Sequence, residues 1–213
     1  ALFFDKRLSF DGSRSCYSCH LNENGLGGAT PLAIGAGEKP LPRHSPALWN
    51  VGYLDGGFYW DGRSDSLEAQ AKAAWAGGNL GVGEDKLAAK TAELAKIPGY
   101  QALWKAAFGD APATPEHVTA ALAAYERTIL CTDTPYDKFA AGDKTALTEG
   151  QQRGLDVFLG KAQCSACHTP PHFTIAQQAK GGVYWNAGVG FAGKDPAAVD
   201  IGRKKVTGKD SDL

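Results

Sequence analysis

Cys16-Tyr17-Ser18-Cys19-His20 and Cys164-Ser165-Ala166-Cys167-His168 are two copies of one pattern, Cys-x-x-Cys-His, and they absorb four of the five cysteines in a chain of 213 residues. Independent placement of so few cysteines and histidines gives two such matches about once in 100,000 sequences, so the pattern has a chemical reason. Paired Cys-x-x-Cys units can supply four thiolates to a tetrahedral zinc site, and a single unit can work as a thioredoxin-like dithiol. Both readings leave the following histidine unexplained, twice. The redox reading also needs a strand entering the motif, where Gly, Ser and Gln stand instead. Covalent haem uses every residue of the pattern: two thiols add to the two vinyl groups, and the imidazole just beyond reaches the iron. The sequence thus predicts two covalently bound haem c groups, attached at Cys16, Cys19, Cys164 and Cys167, with His20 and His168 as iron ligands. The remaining Cys131 reads as a small buried apolar side chain in a helix from Ala120 to Leu130.

The rest of the chain is consistent with a folded haem protein. An apolar content of 43% with 21% charged residues suits a globular chain. The 22 basic and 23 acidic residues nearly cancel, which leaves no positive field for a nucleic acid backbone. Gly, Lys, Asp or Pro interrupts every run that approaches the roughly 20 apolar residues of a membrane helix, so no membrane span is expected. The chain begins at Ala1 without a charged-then-apolar leader, and any signal peptide is expected to have been removed or never included. Haem c is normally attached on the outer side of a bacterial inner membrane, which makes the periplasm the expected compartment.

Outward from the first motif, Leu2, Phe3, Phe4, Leu8 and Phe10 form a short amphipathic run, and Gly25 to Gly62 is a Gly/Pro-rich loop with little periodicity. So long a loop in a compact domain implies a function or a cofactor to wrap. Helical signals follow, with Ser64 as N-cap of a face carrying Leu67, Ala71 and Ala74, then Glu84 to Ile97 stopped by Pro98, and Tyr100 to Phe108. Thr114 caps a helix with Pro115 at its first position and Val118, Leu122, Tyr125 and Ile129 on one face. Thr148 caps a run with Leu155, Phe158 and Leu159 that leads to the second motif. The fold class is therefore mainly α: two cytochrome c-like haem domains with long Gly/Pro-rich loops, residues 1–142 with extra helices and residues 143–213. A helix ahead of each Cys-x-x-Cys-His is the expected internal repeat.

Several stretches resemble the bacterial di-haem cytochrome c peroxidase family, which includes MauG-like proteins. They are Leu2-Phe3-Phe4-Asp5-Lys6-Arg7-Leu8-Ser9, Arg43-His44-Ser45-Pro46-Ala47-Leu48-Trp49-Asn50, Tyr59-Trp60-Asp61-Gly62-Arg63 with Leu67 and Gln70, Tyr125-Glu126-Arg127-Thr128, Pro135-Tyr136-Asp137-Lys138-Phe139, Gly202-Arg203 and Val206-Thr207-Gly208. The resemblance implies a peroxide-reacting haem held by His20 and an electron-accepting haem held by His168. It puts Trp60 where the family has a tryptophan between the haems, and Gln70 where it has a distal glutamine, so Trp60 and Gln70 are the implied catalytic residues. The implied function is a periplasmic oxidoreductase of the cytochrome-c peroxidase type that reduces hydrogen peroxide with electrons from a small cytochrome c or cupredoxin. The alternatives are a di-haem electron carrier and MauG-like oxidation of a protein or peptide partner. Relatives often dimerise, so a homodimer is among the expectations.

The chain also departs from the family pattern. Leu80 stands where members commonly carry a glutamate acid/base, and leucine cannot move a proton. Glu84 or Asp85 could serve only if the loop were re-routed. Gly37 stands where some members have a distal histidine, and His44 where the family has an asparagine tied to a calcium site, which argues against calcium. His117 is expected at the surface and His172 over the second haem. With no Met in the chain, and the family's Met ligand lying beyond Leu213, the second domain is expected to be truncated.

Overall fold

In a computed structural model of the chain, residues 1–55, 57–176, 183–188, 195 and 199–212 are described. The described residues form helices α1 (Leu67–Ala76), α2 (Leu87–Ala95), α3 (Pro98–Phe108), α4 (Pro115–Glu126), α5 (Pro135–Ala140), α6 (Glu149–Leu159) and the single turn α7 (Lys204–Thr207). Among them there is no β-strand, only isolated bridges at Leu21–Gly27, Ile34–Pro40 and Phe58–Ser64. The mainly α class holds. No described helix is long and apolar enough to cross a membrane.

The helix starts follow their caps. Thr114 and Thr148 accept the backbone N–H groups of His117 and Gln151, and the Gln151 side chain accepts in return from the backbone N–H of Thr148. Pro98 both ends the Glu84–Ile97 segment and occupies the first position of α3, where its missing N–H costs nothing. Two expectations shift. Ser66, not Ser64, caps α1 by accepting from the Ala69 N–H, because Ser64 is buried and its carbonyl is taken by Phe58. The expected helix over Ala120–Leu130 ends at Glu126, and Cys131 lies beyond it, exposed, its N–H bonded to the Asn50 side chain at 2.9 Å.

The core is built where α4 crosses α1. Val118, Leu122 and Ala123 of α4 meet Leu67, Ala71 and Trp75 of α1, with Leu87 and Leu94 of α2 and Tyr100 and Trp104 of α3 closing one side. At about 25 cal/mol per Å² of apolar surface, burying each large side chain of this set contributes roughly 1.5–3 kcal/mol. Trp75 is fully buried and donates its indole N–H to the Leu8 carbonyl at 2.9 Å. That bond ties α1 to the N-terminal segment, whose Phe3 and Leu8 also enter the core.

Among its described residues, the long loop from Gly25 to Gly62 has no α-helix, and its helical structure is limited to single turns of 3-10 helix at Ala36–Glu38 and Val51–Tyr53. Its course is set by close backbone approaches: a Cβ on Gly35 would stand 2.1 Å from the Gly78 carbonyl oxygen. The expected repeat also changes. An α-helix precedes only the second Cys-x-x-Cys-His; two single 3-10 turns, Leu2–Phe4 and Lys6–Leu8, precede the first. What recurs is a 3-10 turn inside each motif, at Cys16–Ser18 and Cys164–Ala166.

Candidate functional site

Each motif closes through its own backbone. The N–H of Cys19 reaches the Cys16 carbonyl at 3.1 Å and that of Cys167 reaches Cys164 at 3.2 Å, while His20 and His168 donate to the same carbonyls at 3.1 and 2.9 Å. This turn presents both cysteines and the histidine of each motif together. All five cysteines are free thiols, so none of the four motif sulfurs is committed to a disulfide.

A cavity of about 1110 Å³ opens along the interior face of this arrangement. Small-molecule sites usually span about 300–1,000 Å³, so this one suits a large or multiple occupant. Cys16, Cys19 and His20 border it, and so do Cys167 and His168. Cys164 is not on its wall. Gln70, Ala71 and Ala74 of α1, Leu80, and Leu122 and Glu126 of α4 also line it.

The two histidines are held differently. The Nδ1 of His20 lies 3.1 Å from the Leu26 carbonyl oxygen and 3.0 Å from that of Pro46. Two acceptors at one ring nitrogen fix the proton there and leave the Nε2 lone pair for a metal. Burial pushes the His20 pKa down, which also favours the neutral ligand form. His168 is exposed and has one carbonyl, that of Phe173, at 3.1 Å from Nδ1. Burial raises the Cys16 thiol to about 12 and pushes Cys19 up as well. Free thiols, an apolar chamber and oriented imidazoles fit covalently attached haem.

Trp60 and Gln70 both border the cavity. Trp60 is 57% exposed and donates its indole N–H to the His44 carbonyl at 2.9 Å. The Gln70 backbone carbonyl accepts from the Tyr59 hydroxyl at 3.3 Å, and the Arg63 guanidinium lies 3.4 Å over the Tyr59 ring. Leu80 is buried in the wall. Glu84 and Asp85 are exposed and do not reach the cavity; Glu84 is paired with Lys72 at 2.7 Å. Gly37 lies outside the cavity, its N–H donated to Asp11 at 3.0 Å. His44 borders the cavity and places Nδ1 2.8 Å from the Thr30 carbonyl.

One histidine expectation is corrected. His117 is half-buried, stacked on Phe108 with ring centroids 4.2 Å apart. His172 stacks on Tyr53 at 4.9 Å and does not line the cavity.

One network that the sequence did not suggest draws distant segments together. Arg43 bonds Asp61 at 2.6 Å through Nη1 and Asp200 at 3.0 Å through Nη2. Arg203 donates to the Asp61 carbonyl at 2.8 Å and lies 3.9 Å over the Tyr184 ring. The Arg43 guanidinium holds the Asp200 carboxyl down at about 2. At Gly62, φ is +68° and a Cβ would press on the Tyr184 hydroxyl and the Arg203 guanidinium, so this crossing favours glycine. Partners 157 residues apart in sequence leave no local signal of such a clamp.

A second feature was also missed. Glu126 is 5% exposed, and its Oε2 has no hydrogen-bond partner. Burial raises its pKa to about 7. The signal was present: position 126 lies four residues after Leu122 and eight after Val118, on the buried stripe of α4.

Comparison with known proteins agrees with this geometry. A family profile described as di-haem cytochrome c peroxidase matches residues 1–145. The methylamine utilization protein MauG of Methylorubrum extorquens is 42% identical over 176 residues, 82% of this chain and 49% of that protein. The cytochrome c551 peroxidase of Nitrosomonas europaea is 32% identical over 213 residues, 99% of this chain and 60% of that protein. The crystal structure of a MauG-like protein associated with microbial copper homeostasis superposes with a TM-score of 0.81 at 28% identity, covering 100% of this chain and 64% of that one. The chain thus spans about half the length of several curated relatives it matches.

Proposed function

The chain belongs to the di-haem cytochrome c peroxidase family, and from that premise we propose that it serves the periplasmic reduction of hydrogen peroxide to water by a small cytochrome c or cupredoxin donor. The family carries two covalently bound haem c groups. The observation that carries the reading is that residues of both Cys-x-x-Cys-His motifs line one cavity that Gln70 and Trp60 also line.

Bound haem supplies the redox chemistry of peroxide cleavage, and the protein supplies pocket and orientation. Cys16 and Cys19 hold the first group and Cys164 and Cys167 the second. His20 offers Nε2 to the first iron and His168 offers its own to the second. Gln70 orients peroxide or water by hydrogen bonding, while Ala71, Ala74, Leu80 and Leu122 exclude bulk solvent and keep the polar contacts strong. Trp60 is the relay between the haem sites. Residues 1–142 form the peroxide-reacting domain and residues 143–213 belong to the electron-accepting one.

The names of relatives favour a second reading, MauG-like oxidation of a protein or peptide partner. Stopped-flow mixing of resting and half-reduced holoprotein with hydrogen peroxide, followed by a reduced small cytochrome, separates the two. Peroxide consumption with two equivalents of donor oxidised per peroxide is expected. A peroxide reaction without donor turnover favours the MauG-like reading, and no response to peroxide leaves simple electron carriage.

A further inference from the structure

Four carboxylates border the cavity: Asp61, Glu126, Asp200 and Asp212. Asp61 is bound by Arg43 and Arg63, Asp200 by Arg43, and Asp212 accepts from the Thr207 hydroxyl at 2.6 Å. Glu126 alone among them keeps a buried oxygen without a partner. A carboxylate in that position would forfeit the solvation of its charge, whereas a neutral carboxyl needs only a water or ligand to complete its bonding.

The surroundings leave Glu126 without a compensating cation. Arg127, its neighbour in sequence, lowers its pKa but is committed to Glu68 of α1 at 2.7 and 3.0 Å. Glu68 itself raises the pKa. Of the other packed segments, the N-terminal turn Leu2–Phe4 brings no charge, and the first motif brings Cys16, which is itself raised by Glu126. Lys72 of α1 is paired with Glu84. Glu126 lines the same cavity as Cys16, Gln70 and Leu80, and its buried, unpartnered Oε2 makes it an acid that can hold or release one proton near neutral pH.

We propose that Glu126 is the proton relay of the first haem site, supplying the function that Leu80 cannot. This rests on the peroxidase reading. As a neutral carboxyl, Glu126 passes its proton through a bridging water to the departing oxygen as the O–O bond of hydrogen peroxide breaks. The resulting carboxylate takes up a proton released by the next peroxide that binds. Over a full cycle one peroxide, two electrons from the donor protein and two protons from solvent give two waters, and Glu126 returns to its starting state.

The test compares wild-type holoprotein with Glu126→Gln and Glu126→Asp, using rapid mixing with hydrogen peroxide between pH 5 and 9 and infrared titration of the same samples. Glu126→Gln should slow the peroxide step about 100-fold or more and erase its inflection near neutral pH, while Glu126→Asp keeps an inflection with a smaller loss. In the infrared, wild type should show a neutral carboxyl band that fades as pH rises through about 7 and that is missing in Glu126→Gln. A Glu126→Gln protein with the wild-type rate and pH profile overturns the relay, and so does a wild type without the band. If Glu126→Gln fails to take up haem, Glu126→Asp and the wild-type band decide by the same criteria. A wild type inert to peroxide in both oxidation states overturns the peroxidase reading and the relay together, whereas a reactive wild type matched by Glu126→Gln overturns the relay alone.

Discussion

At Cys16–Ser18 and Cys164–Ala166 the backbone makes the same single 3-10 turn, closed by the same pair of N–H donors to the first cysteine's carbonyl. Around that turn the two regions differ. His20 is held by carbonyls from two separate segments, and Cys16 packs against a core that includes Trp75, Leu122 and Phe3. His168 is exposed and held by one carbonyl five residues away, and α6, which delivers the second motif, buries none of its residues. Five consecutive residues therefore specify how haem is gripped, while the pocket around each grip comes from residues far away in sequence. On the proposed reading, the first site, set against the core, is the one that reacts with peroxide, and the second, nearer the surface, is the one that exchanges electrons.

The most direct way to break this contrast is to remove each iron ligand in turn. His20→Ala should abolish the reaction with peroxide, whereas His168→Ala should keep a single-turnover peroxide reaction and lose donor-supported turnover. Rapid mixing with peroxide, with and without a reduced cytochrome, reads both; the reverse pattern would exchange the roles of the two haems.

The same contrast shows what the sequence could disclose. Thr114, Pro115 and Thr148 announce their helices because capping is a contact between near neighbours. The motif turns are legible for the same reason. Ser64 misleads because the choice between two serines depends on a bridge to Phe58, and Cys131 because Asn50, far away in sequence, bonds the backbone just past α4. The Arg43–Asp61–Asp200 clamp and the seat of His172 on Tyr53 are long-range pairings without periodicity to betray them. Glu126 was readable from its place on the buried stripe, but an acid in a helix ordinarily reads as a solvated residue.

A buried acid also gives the first region a pH dependence near neutrality. The folded pKa of Glu126, about 7 against an ordinary 4.5, means that the native state binds its proton more tightly than the unfolded chain. The resulting penalty is absent below about pH 4.5, grows as pH rises toward 7, and levels off above it at about 3 kcal/mol. Glu126→Gln holoprotein should therefore gain in thermal midpoint relative to wild type at pH 8 more than at pH 5. An equal change at both values would place the charge in contact with water.

The clamp between the regions can be tested at its tightest crossing. Gly62→Ala forces a Cβ against Tyr184 and Arg203 at a positive φ, with a backbone cost of about 1 kcal/mol before any steric shift. Trypsin should then cut after Arg203 more readily, while the fold around α1 and α4 is kept. Acid should act in the same direction. Asp200, held down at about 2 by Arg43, contributes stability above its ordinary pKa of 3.8 that is lost as pH falls from there toward 2. An Asp200→Asn protein should lack that step in a titration followed by pepsin susceptibility of the same segment.

The smallest effect separates the regions most cleanly, because the same chemical change is made in both. Thr114→Ala and Thr148→Ala each delete a hydroxyl that accepts a backbone N–H at a helix start, a loss of about 1 kcal/mol per cap. In α4 the helix is pinned by Val118, Leu122 and Ala123, so its amides open only with the core. There the deletion should appear as a lower global stability with uniform protection across α4. In α6 no residue is buried, so the loss should stay local and speed amide exchange about fivefold along Glu149–Leu159, leaving the thermal midpoint nearly unchanged. Hydrogen exchange with equal global effects from both substitutions would mean that α6 is covered in the working protein, and the contrast between a first motif set on the core and a second carried by an exposed helix would then fail at its second half.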